Sequence, residues 1–438
     1  MAEKNNKLAK LLRDIVSYVK SNPVKSLVLL LFICLSLYLK ISEANVGLDD
    51  EFPGSDPWAY DINAKQFLKG EAPINPLFNP LETIYLSIVY FFFGPNHMIA
   101  RYIQIIFSFL IALFLYNFTK RFFGETAGYL AALMSLVHPW IVFYSAHLWT
   151  EFWLIFLLSL MLYWYALLVK RKSSWKNWLF FGVVSAIASL SKAWALAFPA
   201  VLITFMIYYE NNKKINFVFL KRWLIASIVC VAGAAIIIAP WSIYATKTQG
   251  YPVLINANSG LNFYLGNNPK PMIWMTSDYN WEYLYSVDLP EGNCGELLNK
   301  SAGTNFEVYY RNKCGSKYST NYILHNPSKF ISKIWKFTWG YWLFPNLQAF
   351  QRLIKAPTSL LIQQWFFWIF MVIGIIISIK KWKVFLPFYL LALIIWFSFA
   401  ITVYLARYKA GVTPLEILFA AGGLAVTLSV ISQLLKSR

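Results

Sequence analysis

The sequence predicts an all-α polytopic membrane protein, and three observations favour this class. Apolar residues gather in runs of about the length that crosses a bilayer, charged residues are scarce, and most basic residues lie in short tracts between the runs. A chain of this kind is expected to fold as a bundle of membrane helices with polar segments at its faces.

The apolar runs are long and numerous. The 438 residues are 58% hydrophobic, 19% aromatic and 13% charged, whereas about a quarter of the residues of a soluble protein are charged. A spanning helix needs about 20 mainly apolar residues, and runs such as SLVLLLFICLSLYL and WFFWIFMVIGIIISI approach that length. We expect roughly ten spans, near residues 24–41, 98–119, 126–144, 149–169, 176–191, 194–209, 221–241, 359–379, 384–405 and 411–434.

The basic residues predict the topology. The formal net charge is +19, and Lys and Arg gather in the N-terminal segment and in tracts such as KRKSSWK and KKWK. Cationic short loops mark the cytoplasmic face, so both termini are expected in the cytoplasm of an inner (plasma) membrane protein. We interpret this charge as topology rather than as a nucleic-acid-binding patch. A lysine follows the first apolar run, which is therefore interpreted as an uncleaved span rather than a signal peptide.

Two long segments are expected outside the membrane. They divide the chain into a membrane module 1–244 with a first outer loop 42–96, an extracytoplasmic loop region 245–358 and C-terminal membrane helices 359–438. Within the first loop, residues 57–69 predict a short helix that Asp56 caps and Gly70 ends. The segments PLETIYLSIVYFFFG and KFISKIWKFTWGYWLF predict helices lying in the membrane interface.

The four cysteines and two of the histidines give structural expectations. Cys34 and Cys230 lie inside apolar runs and are expected to be core thiols, whereas Cys294 and Cys314 fall in the outer loop. Oxidation is allowed there, so a disulfide between them is a candidate that sequence alone leaves open. His138 and His147 lack acidic spacing and are interpreted as structural, and no zinc-like cysteine spacing, phosphate-binding glycine loop or dinucleotide fingerprint occurs.

Ionisable residues converge on the outer membrane boundary. The bases there are Arg101, Lys192, Arg407 and Lys409, and the acids are Asp56 and Glu151. Ionisable groups within membrane segments usually face a cavity or a partner. The cations suit the phosphate or pyrophosphate of a lipid headgroup, and a carboxylate beside them suits a general base. Such a site fits a reaction in which a lipid-borne phosphate leaves while an acceptor hydroxyl or amine attacks.

Structural interpretations compete with these roles. Asp56 caps a helix whether or not it is catalytic, and Glu151 and Lys192 form a structural bridge in the alternative interpretation. If Arg101 does not bind phosphate, it is expected to snorkel to the interface. If Arg407 does not, it is expected to anchor the start of the last span. The cluster DDE at 49–51 is either a solvated turn or, through Asp50 and Glu51, a rival base or metal ligand.

The motif SDPWAYDINAKQFLKG resembles the first outer-loop motif of polyprenyl-phosphate-sugar-dependent glycosyltransferases, with Asp56, Tyr60, Ala64, Phe67 and Gly70 at the matching positions. These are the protein O-mannosyltransferase-like and lipid A aminoarabinose transferase-like families (glycosyltransferase families 39 and 83). The resemblance continues in order through HPWIVFYSAHLWTEFWLIFLL, GVVSAIASLSKAWALAFP, SGLNFYLGNNP and ARYKAGVTPLEILFAAGGL. The segment SGLNFYLGNNP resembles an outer strand and loop of those families, so the resemblance implies a strand and loop here.

The resemblance implies a GT-C fold whose active site faces away from the cytoplasm, a polyprenyl-phosphate-sugar donor and inversion at the anomeric carbon. It implies that Asp56 is the base or orients the acceptor, with Glu151 as the second acid. The donor phosphate is expected on Lys192, Arg407 and Arg101. The expected pocket residues are Tyr60, Tyr408, Asn262 and Asn267.

The sequence therefore predicts an integral-membrane inverting glycosyltransferase acting on a glycan, lipid or protein acceptor outside the cytoplasm. The scheme requires no nucleotide and demands no metal. Two alternatives remain: a transporter or flippase for lipid-linked sugars, and a noncatalytic subunit that binds them. No inverted repeat or pair of broken helices favours the transporter.

Overall fold

The computed structural model describes residues 17, 19–45, 55–169, 171–271, 282–342, 358–403 and 406–437. Within these ranges nearly all of the regular structure is helical, which confirms the predicted all-α class. The exception is a two-stranded antiparallel hairpin, β1 (Asp288–Leu289) and β2 (Gly292–Asn293). The predicted domain boundaries stay a prediction.

The helices, numbered along the chain, have these bounds: α1 Pro23–Ala44, α2 Asp56–Lys69, α3 Pro80–Phe93, α4 His97–Phe123, α5 Glu125–Val137, α6 Pro139–Ala146, α7 Glu151–Leu168, α8 Trp175–Ser189, α9 Phe198–Glu210, α10 Phe217–Gln249, α11 Ser259–Gly266, α12 Glu282–Tyr285, α13 Cys294–Ser301, α14 Asn305–His325, α15 Pro327–Trp342, α16 Thr358–Ile379, α17 Trp382–Ala400 and α18 Thr413–Lys436. Two 3₁₀ segments, Ala193–Ala197 and Ala406–Val412, precede α9 and α18.

The described residues contain seven helices long and apolar enough to cross a membrane, or eight if α5 and α6 form one span bent by 45°. The expected number of roughly ten is not confirmed. The span expected at 176–191 corresponds to α8, which has 15 residues. At a rise of about 1.5 Å per residue it is shorter than the hydrocarbon core of about 30 Å.

Glycines allow two pairs of helices to pack at backbone contact. A Cβ at Gly182 of α8 would lie 2.0 Å from the Cys230 carbonyl oxygen of α10, and one at Gly233 would lie 2.5 Å from the Leu179 oxygen of α8. Such small-residue interfaces are typical of membrane helices. Helices α16 and α18 make the second such pair, through Gly374 and Gly423. In both pairs the backbones lie at a separation that larger residues would prevent.

Helix α2 confirms the predicted short helix and corrects its cap. The cap is Ser55, whose hydroxyl accepts a hydrogen bond from the Trp58 amide, and Asp56 is the first helical residue. Gly70 ends the helix with a left-handed φ of 72°, the conformation that glycine adopts without a Cβ penalty. The Asp56 side chain is consequently not used for capping.

The expectations for residues 259–266 and for Cys34 need correction. Residues 259–266 form a helix rather than the strand and loop implied by the resemblance. Cys230 is buried as expected, but Cys34 is exposed on α1 rather than in the core. In the outer region, Cys294 and Cys314 are joined by a disulfide that links α13 to α14.

Candidate active site

Four distant parts of the chain bring charged side chains together. Asp56 is the first residue of α2 and Glu151 is the first residue of α7, so both carboxylates lie at helix N-termini, where the helix dipole favours negative charge. Lys192 lies between α8 and the segment Ala193–Ala197, and Arg407 lies in the segment Ala406–Val412. We call these four residues the charged cluster.

The charges of the cluster alternate in sign. Arg407 Nη1 lies 2.5 Å from Asp56 Oδ2, and Arg407 Nε lies 3.7 Å from Glu151 Oε1. Lys192 Nζ lies 3.1 Å from the same Glu151 oxygen. The order is therefore acid, base, acid, base, and the Glu151–Lys192 bridge of the structural interpretation exists together with the link to Asp56.

The cluster opens towards solvent at one end. The exposed fraction of the side chain rises from 1% for Glu151 and 10% for Lys192 to 22% for Arg407 and 31% for Asp56. The buried end lies where charge interactions are strong because water is excluded. Asp56 and Arg407 are therefore the most accessible side chains of the charged cluster.

Aromatic rings surround the two cations. The Arg407 guanidinium carbon lies 4.8 Å from the centre of the Trp149 ring, and Lys192 Nζ lies 4.8 Å from the centre of the Tyr408 ring. Tyr408 stacks on Phe399 with ring centres 4.3 Å apart. Cation–π contacts of this kind help to hold a cation in place, so the rings add to the ion pairs in fixing both side chains.

Tyr60 lies one turn after Asp56 on α2 and is buried against Phe78. Burial, together with the nearby Asp56 and Glu151 carboxylates, raises the pKa of Tyr60 well above the ordinary value of a tyrosine. Its hydroxyl therefore stays protonated and can donate a hydrogen bond towards the cluster.

The contacts of three other predicted site residues are of a different kind. The Arg101 guanidinium donates to the Ala44 carbonyl at the end of α1, with Nη1 and O 2.6 Å apart. Asn262 bonds within its own helix to Asn258. Asn267 joins α11 to the end of α17 by donating to the Ile401 carbonyl, and it accepts from Lys333. The rival acids Asp50 and Glu51 lie outside the described residues.

The two histidines interpreted as structural each lie near an acid. His147 lies 3.1 Å from Glu43 and His138 lies 3.9 Å from Glu416. Over the described residues, no group of three or more His, Cys, Asp or Glu side chains has the arrangement of a metal site. The functional role of these histidines is not tested by these contacts.

Trp149 is the site residue that sequence reasoning missed. It lies two positions before Glu151 in HLWTE, and the available signal was an aromatic residue next to an intramembrane acid. Its ring contacts Arg407, which lies 258 residues further along the chain in the segment Ala406–Val412. Periodicity carries no information on such a contact.

The fold is a GT-C-type bundle of membrane helices. A family model for dolichyl-phosphate-mannose-protein mannosyltransferases matches residues 78–244. This match includes Glu151 and Lys192 and leaves Asp56 and Arg407 outside. The geometry of the cluster is therefore what links these two residues to the matched part.

One solved structure supports this fold. The chain is similar to the oligosaccharyltransferase of Archaeoglobus fulgidus, with 14% identity and a TM-score of 0.52 over 92% of this chain and 49% of that chain. It thus spans about half the length of that protein. It is also similar to ArnT from Cupriavidus metallidurans, with 13% identity and a TM-score of 0.40 over 89% of this chain and 77% of that chain. A comparison with curated proteins finds no match.

Proposed function

We propose that this chain is an integral-membrane glycosyltransferase that transfers a sugar from a polyprenyl-phosphate donor to an acceptor. The observation that carries the proposal is the charged cluster, in which Asp56 and Arg407 meet Glu151 and Lys192 at the end of the bundle. The matched family and the GT-C fold support the lipid-linked donor. The acceptor is a glycan, a lipid or a protein.

The reaction inverts the anomeric carbon. The acceptor oxygen or nitrogen forms a bond to that carbon as the bond from the carbon to the phosphate oxygen breaks. The electron pair of the broken bond stays on the departing polyprenyl phosphate, and the acceptor proton passes to the Asp56 carboxylate. General-base help is worth about 10²–10⁴-fold, and stabilisation of the leaving oxygen is often the larger contribution.

Arg407 and Lys192 stabilise the negative charge that grows on the leaving phosphate. Arg407 is the more exposed of the two cations and is paired with Asp56. When the donor phosphate binds Arg407, it replaces Asp56 as the partner of the guanidinium. Donor binding therefore frees the Asp56 carboxylate to accept a proton, and Glu151 keeps the inner sides of both cations in place.

Transfer is proposed to occur on the outer face of the inner membrane, with both termini in the cytoplasm. The scheme uses protein cations on the phosphate, so we expect turnover to persist in a metal chelator. Sidedness is measured with single cysteines in a Cys34→Ser, Cys230→Ser background. An impermeant thiol reagent added to intact cells should label Lys270→Cys and spare Lys172→Cys, and the reverse pattern would overturn the orientation.

Transfer of labelled sugar from a short-chain polyprenyl-phosphate donor tests the function in purified, reconstituted protein. Water and a cell-envelope extract serve as acceptors. Asp56→Asn should lower turnover by about 10²–10⁴-fold while the donor still binds. Asp288→Asn, which makes the same change on the outer hairpin, is the matched control and should keep wild-type turnover.

Other outcomes separate the alternatives. Full turnover in Asp56→Asn would remove Asp56 as the base and move attention to Asp50 or Glu51. Donor binding without turnover in the wild type would favour the noncatalytic binder. Movement of intact donor across the vesicle membrane would favour the flippase.

A further inference from the structure

A second group of buried ionisable side chains includes Lys409, two residues after Arg407. Lys409 Nζ lies 3.9 Å from Glu416 Oε1, and His138 Nε2 lies 3.9 Å from Glu416 Oε2. All three residues are at most 3% exposed. Burying charges is costly, and buried ion pairs contribute little net stability, so a role other than stability is expected for them.

These side chains link three different pieces of the fold. Lys409 belongs to the 3₁₀ segment Ala406–Val412, Glu416 lies in the first turn of α18, and His138 occupies the break between α5 and α6. Among the described residues, Lys409 Nζ, His138 Nδ1 and both Glu416 carboxylate oxygens have no hydrogen-bond partner. The attraction between Lys409 and Glu416 therefore joins the segment Ala406–Val412 to α18.

The segment Ala406–Val412 carries Arg407 on one side and Lys409 on the other. In a 3₁₀ helix of about three residues per turn, positions two apart point in different directions. Arg407 accordingly reaches Asp56 and Glu151, while Lys409 reaches Glu416. Holding Lys409 in place fixes the direction in which Arg407 points.

The segment Ala406–Val412 also packs against the segment Ala193–Ala197, which directly follows Lys192. A Cβ at Gly411 would lie 2.8 Å from the Trp194 ring, so the two segments are already in close contact. Trp194 follows Lys192 by two residues. A shift of the segment Ala406–Val412 would thus disturb both cations of the charged cluster.

We propose that Glu416, through Lys409, is a positioning residue that fixes the segment Ala406–Val412 and so aims Arg407 at the donor phosphate. This inference rests on the proposed function for its kinetic consequence. Its structural consequence, the order of the segment Ala406–Val412, is independent of the proposed function.

The variants are Glu416→Gln and the double variant Lys409→Met, Glu416→Met. The double variant replaces the ion pair by apolar side chains, a change that buried pairs often tolerate, and it keeps the test valid if Glu416→Gln fails to fold. The matched control is Glu125→Gln, which breaks the partly exposed Lys120–Glu125 pair at the start of α5.

Two measurements are made on each purified protein. Hydrogen exchange of the peptide covering 406–412 reports the order of the segment, with the disulfide-linked region 294–314 as an internal reference. Steady-state sugar transfer gives kcat and KM. We expect faster exchange in 406–412, an unchanged reference, and a kcat reduced about 10- to 100-fold, since a small misplacement of a catalytic group has effects of that order, with KM little changed.

The proposal is overturned if the double variant keeps wild-type exchange in 406–412, or if exchange rises while kcat stays at the wild-type value. A fall in kcat with unchanged exchange would also overturn it, because Glu416 would then act otherwise than by positioning. If the wild type transfers no sugar, the proposed function fails, and the exchange data alone decide whether Glu416 fixes the segment.

Discussion

Arg407 Nη1 lies 2.5 Å from Asp56 Oδ2, although the two residues are 351 positions apart in the chain. The contact joins α2 to the segment Ala406–Val412, which precedes α18. It places a strong cation beside the proposed base, and the roles of both residues can be separated by substitution.

Arg407→Met should lower kcat/KM by about 10²–10³-fold, the usual cost of removing one group that stabilises developing negative charge. Arg407→Lys should recover part of this loss, because lysine keeps the charge but lacks the planar fork of the guanidinium. Kinetics with the polyprenyl-phosphate donor measure both values. Arg311→Met, which breaks an i,i+4 pair with Glu307 in the outer region, is the control; an equal loss there would refute a specific role for Arg407.

Lys192→Met should destabilise the protein, because it removes one of the two cations that face the buried Glu151 carboxylate. Breaking a buried pair costs about 3–5 kcal/mol, and the remaining Arg407 keeps the loss at or below that range. Adding Glu151→Gln should restore much of the melting temperature without restoring sugar transfer. Recovery of transfer in the double variant would mean that the pair is structural.

Asp61→Asn should loosen the attachment of α2 to α3 and α4. Asp61 accepts hydrogen bonds from Lys65 at 2.7 Å and Tyr90 at 2.8 Å and lies 2.7 Å from His97. We expect a loss of about 1–3 kcal/mol, the usual cost of removing such hydrogen bonds to a charged group, measured as a lower melting temperature at pH 7.

The effect of Asp61 should depend on pH. Burial raises its pKa, but the hydrogen bonds from His97, Lys65 and Tyr90 outweigh burial, and the net pKa lies below the ordinary 3.8. A lowered folded-state pKa means that the stabilisation is complete above the ordinary value and is lost as the pH falls through the folded one. The difference between wild type and Asp61→Asn should therefore shrink below that range, and a constant difference would contradict this account.

Removal of the disulfide in a Cys294→Ala, Cys314→Ala variant should destabilise the outer region. The bond closes a loop with a sequence separation of 20, for which the chain-entropy account gives about 3 kcal/mol. Proteolysis of the region 282–325 should become faster while the membrane helices stay protected. Equal rates of proteolysis in the wild type and the variant would show that packing alone holds this region.

Much of the architecture could be predicted because its causes are local. The apolar runs give the membrane helices, and the Pro57 to Gly70 pattern gives α2, since proline and glycine act on the backbone at their own positions. Three of the ten expected spans fall outside the seven found among the described residues. Helix α8 is shorter than its apolar run suggested, α5 and α6 are bent at His138–Pro139, and the span expected at 359–379 is counted only as a shorter apolar helix, Trp365–Ile379. The cap was assigned to Asp56 because sequence alone does not distinguish Ser55 from its neighbour.

The site was only partly predictable for a different reason. Asp56, Glu151, Lys192 and Arg407 were singled out because each is an ionisable residue at one membrane depth. Their mutual order, with Arg407 between the two acids, depends on tertiary packing between elements far apart in sequence. The same limit hid Trp149, whose contact with Arg407 arises where the segment Ala406–Val412 lies against the residues before α7.

The charged cluster contains two acids and two bases, so its formal charge is zero before any donor arrives. Asp56 thus serves as the counter-ion of Arg407, and under the proposed function donor binding exchanges one anion for another. Free phosphate and other small anions gain little from such an exchange, because they bring no lipid chain to offset the lost contact with Asp56. The proposed site therefore starts from a neutral state, and under the proposed function it should favour anions that are anchored in the bilayer.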